Sequence, residues 1–141
     1  MTDPALEVRL RGALRLGALA IFSITPIELV FTEHTESSIQ LLPFAAAALG
    51  VVGLLVLRTF GERPRRLARV LFVVVSLVGV LGVWEHFEHN YAFEREIHPN
   101  LDSVAAARTA LFGAGPTLAP GILILAAGLA WASTFGARAQ T

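Results

Sequence analysis

Between Trp84 and His98 a hydrophobic run ends in Glu85-His86-Phe87-Glu88-His89 and continues through Glu94, Glu96 and His98. Carboxylate and imidazole groups are the ligands that Zn, Mn and Fe take when no sulfur is offered, and imidazole also exchanges protons near neutral pH. The remaining histidine, His34, stands beside Glu33 and Glu36, just past an earlier hydrophobic run that itself carries Glu28. If the two run ends meet in space, they form one carboxylate and imidazole cluster.

On a helix advancing about 100° per residue, Glu85, Glu88, His89, Ala92 and Glu96 fall within a stripe roughly 100° wide, flanked by His86 and Phe93. Glu28, Thr32 and Glu36 share a face if the first helix runs that far; otherwise the capping turn can bring His34 inward. Both helices point the same way, so these acids are expected at C-terminal poles, where the helix dipole disfavours anions and a cation offsets them. The expected metal ligands are Glu28, Glu85 and His89, with Glu88, His34, His86 and Glu36 around them. The expected occupant is a divalent Zn, Mn or Fe, with carboxylates able to bridge two ions. The Glu-x-x-His element of carboxylate-bridged metal bundles is absent: Glu88 lies three residues after Glu85, and His89 three after His86. A haem between His34 and His86 or His89 is an alternative, as is a proton-coupled small transporter built on Glu28. Glu94, Glu96 and Asp102 read as solvated acids, and Trp84, Phe87, Tyr91 and Phe93 as interface anchors.

The elements that must position these groups are apolar helices. Hydrophobic residues make up 55% of the 141, and the mean hydropathy is +0.65, values outside the range of ordinary soluble domains. The expected fold is all-α, an integral membrane four-helix bundle of one domain. Its transmembrane spans are expected at about 14–31, 41–57, 70–84 (with the helix extending outward to about 97) and 118–135. Pro26 is expected to kink the first span. The basic residues ahead of that span resemble a signal sequence, but no small-x-small site follows, so a retained anchor is expected. Pro43 is tolerated in the first turn of the second span, whose Ala45 to Ala48, Gly50 and Gly53 make a small-residue face. Pro99 and Asn100 should end the third helix, and Asp102 or Ser103 should cap a short helix on the outer surface.

Charge then orients the bundle. Arg9, Arg11, Arg15, Arg58, Arg63, Arg65, Arg66, Arg69 and Arg138 fall on one side, and only Arg95 and Arg108 on the other. Arginine-rich short loops stay in the cytoplasm, so both termini are expected there, with every histidine outside. Lysine is absent and Ala, Gly, Val and Leu abound, a composition that fits a GC-rich bacterial genome and hence a multi-pass protein of the inner membrane facing the periplasm. Zero net charge argues against a nucleic-acid partner, and the lack of cysteine excludes disulfides and thiolate metal sites. Four short spans enclose little volume, which favours a homo-oligomer or a place as an accessory subunit of a larger membrane complex. No phosphate-binding glycine loop or nucleophilic triad is present to indicate an enzyme.

Overall fold

A computed structural model describes residues 3–60, 64–113 and 115–135, which form helices joined by turns, without strands. Five α-helices follow one another: α1 (Pro4–Phe31), α2 (Leu42–Phe60), α3 (Arg65–Ile97), α4 (Ser103–Ala110) and α5 (Gly121–Ala132). A single 3-10 turn, Ile39–Leu41, leads into α2. Expected arginines Arg63 and Arg138 lie outside the described residues.

Helices α1, α2 and α3 are each long and apolar enough to cross a membrane. The fourth apolar segment is shorter than expected. Only Gly121–Ala132 is helical, 12 residues, a rise of about 18 Å against the ~30 Å of a hydrocarbon core. The reason is local: the chain reaches α5 through successive three-residue turns, Ala119 N–H to Pro116, Gly121 to Leu118, Ile122 to Ala119 and Leu123 to Pro120. Pro116 and Pro120 lack the amide that a longer α-helix needs. Helix α1 runs unbroken through Pro26; the ring leaves the Phe22 carbonyl without its usual backbone donor.

The helices form a ring in which α1 packs on α2 and α5, and α3 packs on α2, α5 and α4. Helices α1 and α3 stand on a diagonal and do not pack on each other along their lengths. Phe22 of α1 and Phe72 of α3 fill the centre, each 1% exposed. Glycines on α2 make room for them: a Cβ on Gly50 would stand 2.5 Å from the Phe22 ring, and one on Gly53 2.6 Å from Phe72. Gly79 and Gly82 of α3 likewise admit Pro120, just ahead of α5, and Ile124 of α5. Small residues let backbones approach, and in lipid such close packing, not the hydrophobic effect, holds helices together. The large apolar side chains left outside, among them Leu16, Val30, Leu55, Val73 and Leu77, suit a lipid surface.

The end of α5 is fixed by two arginines from its neighbours. Arg69 of α3 donates through Nε to Thr134 Oγ1 at 2.8 Å, and Arg15 of α1 donates through Nε to Ser133 Oγ at 3.4 Å. The Arg69 guanidinium also lies 4.6 Å from the Phe135 ring centroid. Cations at the C-terminal pole of α5 complement its dipole. These contacts place the first half of α1 and the start of α3 beside the end of α5, so α5 runs antiparallel to both.

Candidate functional site

At the opposite end of the bundle, α1 closes with a complete Schellman motif. The His34 amide donates to the Leu29 carbonyl at 2.9 Å, and the Glu33 amide donates to Val30 at 3.1 Å. The motif requires a left-handed residue at Glu33, which has φ 54° and no glycine to ease it. Because the chain reverses there, His34 points back across the diagonal toward α3.

Helix α3 supplies the opposite wall. Its 33 residues rise about 50 Å, so a ~30 Å hydrocarbon measured from Arg65 ends near Trp84 and Glu85. The outer three turns, from His86 to Ile97, extend past that level. His86 stacks on His34 with 6.0 Å between ring centroids and 28° between ring planes. It lies beyond the apolar part of α3, and burial, with repulsion from His34 and His89 added, holds its imidazole below the usual histidine range.

Beside this stack, where the chain turns into the start of α5, is a pocket of about 500 Å³. Its ionisable lining residues are Glu28, His34, Glu85, His86 and His89, with Thr32, Ser37 and Gln40 also polar, and its floor includes Val78, Leu81, Leu123 and Pro120. Five of the seven sequence-predicted ligands therefore share one cavity. The other two, Glu36 and Glu88, are exposed and do not line it.

Two premises of the sequence reading change. First, the acidic stripe on α3 is not the face that packs inward. The buried positions Ala68, Phe72, Val75, Gly79, Asn90 and Glu94, with His86 among them by phase, lie about a third of a turn from the stripe. Glu85 and His89 reach the pocket from its flank, and Glu88 points away. Second, α3 continues three turns past Glu85, so the unfavourable carbonyl pole, felt only in the last turn, lies at Glu94 to Ile97 and not at the pocket. Glu94 is buried there against His98, Nδ1 to Oε2 3.4 Å.

Among the described residues, no three histidine, aspartate or glutamate side chains are grouped to hold a metal ion. The stack explains part of this: imidazole lone pairs lie in the ring planes, and two stacked rings do not aim them at a common point between the faces. Of the two outer arginines, Arg95 donates to the Leu101 carbonyl and Arg108 is exposed on α4. Neither lines the pocket.

The residue that builds the outer end was not singled out from sequence. Asn90, 3% exposed, donates through Nδ2 to the carbonyl of Ala110 (3.0 Å), the carbonyl of Gly115 (2.7 Å) and Thr117 Oγ1 (3.1 Å). Its Oδ1 accepts from the Gly115 amide at 3.1 Å. Thr117 in turn donates to Ala110 at 3.2 Å. One amide thus ties α3 to the segment joining α4 and α5, and so fixes the pocket wall at Gly115 and Pro116. Gly113 is required by the same contact, since a Cβ there would stand 2.7 Å from Asn90 Cγ. The available signal was phase: stepping outward from Gly79 and Gly82 by three and four residues reaches His86 and Asn90. On α4, Asp102 caps the helix as expected, accepting from the amides of Val104 and Ala105.

Comparison with protein-family models, with curated proteins and with solved structures finds no match to this chain. The functional reading therefore rests on the pocket's own chemistry.

Proposed function

We propose that this chain is a four-span protein of the bacterial inner membrane, with both termini cytoplasmic, that binds a small amphipathic molecule in its outer pocket. The observation that carries the reading is the cavity of about 500 Å³ whose floor is apolar and whose rim holds three imidazoles and two carboxylates. Binding sites for small molecules have this volume and this pairing of apolar walls with a few polar groups. The pocket also lies where α1 and α3 would leave the hydrocarbon, so a molecule seated there has its tail at lipid depth and its head among the rim groups. The arginine asymmetry supports the orientation, and the short α5 with its flanking turns supplies the fourth crossing.

The test is isolation of the protein directly into lipid nanodiscs, followed by mass spectrometry of the small molecules that accompany it. The expected result is a species bound to the native protein and lost from both Leu81→Trp and Leu29→Trp, which fill the cavity from different helices. Identical small-molecule content in all three folded proteins refutes the proposal.

A divalent cation is the second reading, favoured by the convergence of Glu28, Glu85, His34, His86 and His89 on one cavity. It requires the two stacked rings to separate and the side chains to close in on the ion. Elemental analysis tests it: stoichiometric Zn, Mn or Fe that is lost from Glu85→Ala combined with His89→Ala supports it, and metal-free protein ends it.

A further inference from the structure

We infer that the occupant is a monovalent organic cation carrying an apolar body, an inference that rests on the cavity being a binding site. Three features of the lining select that class. Both ionisable carboxylates of the cavity, Glu28 and Glu85, lack an ion-pair or hydrogen-bond partner among the described residues. Among the described residues no arginine lines the cavity, and the chain has no lysine, so an anionic head would meet two like charges and no donor cation. The imidazoles extend the same preference: the stacked His34 and His86 line the wall with aromatic ring faces and ring nitrogens.

The floor sets the rest of the ligand. Val78, Leu81, Ile122 and Leu123 present hydrocarbon only, which a hydrated inorganic ion cannot use and a hydrophobic body can. Glu28 is exposed and Glu85 half-buried, so a ligand seated over them takes carboxylates out of water, and a cation on that ligand offsets the cost where the described residues supply none. A soft, delocalised charge on an apolar frame fits both ends of the cavity. A compact divalent ion fits only the rim, where three ligands are not assembled.

The experiment uses two rigid ions of the same shape and opposite charge, tetraphenylphosphonium and tetraphenylborate. Each is titrated calorimetrically into the full chain in phosphatidylcholine nanodiscs, with empty discs as the reference. Saturable binding of the phosphonium, little or none of the borate, and affinity for the phosphonium roughly tenfold or more weaker in Glu85→Gln combined with Glu28→Gln are expected. Leu81→Trp should abolish phosphonium binding. Equal or tighter binding of the borate, or unchanged phosphonium affinity in the double glutamine variant, overturns the inference. Failure of the two readings is separable. If both ions bind and both are lost in Leu81→Trp, the cavity stands and its cation preference falls; if Leu81→Trp changes nothing, the cavity itself is not the site.

Discussion

The imidazole of His34, on the turn after α1, stacks on that of His86 in α3 although the two helices do not otherwise pack on each other. This contact closes the outer end of the bundle across its diagonal. It also makes that end sensitive to protons, since charging either ring places a cation beside its neighbour.

Acid should loosen the fold through His86. Its folded imidazole titrates below the usual histidine range, mainly because it is buried. The unfolded chain therefore binds more protons than the folded one as pH falls through about 6.5, and stability rises with pH in that window. The contribution is present above the usual histidine value and is lost as pH drops toward the depressed one. Thermal unfolding in detergent at a series of pH values should show the midpoint falling below neutrality. His86→Gln should flatten that fall; an unchanged slope would show that other groups govern it.

Asn90→Leu should be among the most damaging single changes outside the central packing. It removes four hydrogen bonds and takes the side-chain donor from the half-buried Gly115 carbonyl, at about 1–3 kcal/mol for a group left unsatisfied, while the Ala110 carbonyl keeps only its longer bonds from Thr117 Oγ1 and the Gly113 amide. Hydrogen exchange should become faster at Gly115 and along α4, with the amides of α1 and α2 unaffected. Uniform acceleration across all helices would mean that the wall is not a local unit.

Gly50→Ala and Gly79→Ala should both destabilise the bundle, by about 1–3 kcal/mol from overpacking. They should differ in whether a second change relieves them. The nearest atoms to the added methyl at Gly50 all belong to the Phe22 ring, whereas at Gly79 it meets the Ile124 side chain together with the backbone at Ile124 N and Pro120 O. Phe22→Leu should therefore rescue Gly50→Ala in part, and Ile124→Val should rescue Gly79→Ala less. Equal rescue, read from thermal midpoints, would contradict the geometry.

Glu33→Gly should stabilise the protein. The left-handed backbone at Glu33 costs a side-chain-bearing residue roughly 1–2 kcal/mol, and glycine none, against a loss of about 0.4–1 kcal/mol from the freer unfolded chain. A small net gain in thermal midpoint is expected with the pocket unchanged. A loss would mean that the Glu33 carboxylate stabilises the turn more than its backbone strains it.

Much of the architecture was legible without coordinates, because helix formation in apolar segments depends on local sequence. Hydropathy located three long helices, the run through Ile97 read as one continuous element, Pro99 and Asn100 ended it, and Asp102 capped α4. The turn after α1 that brings His34 inward is also legible locally, because a Schellman reversal uses only nearby backbone groups. The extent of α5 was overread, since hydropathy does not register amides missing at Pro116 and Pro120.

The face that α3 presents inward was decided by tertiary contact. The sequence marks Glu85, Glu88, His89, Ala92 and Glu96 as one stripe, but a stripe has no direction until another helix packs beside it. Gly79 and Gly82 receiving Pro120 and Ile124 set the rotation of α3, and that rotation turned His86 and Asn90 inward, left Glu88 outside, and put Glu85 and His89 on the cavity's flank. Chain chemistry alone specified which groups exist and which segments are apolar. Their convergence into a pocket came from helix rotation and from the height at which α5 starts, both set by close packing between residues far apart in the chain.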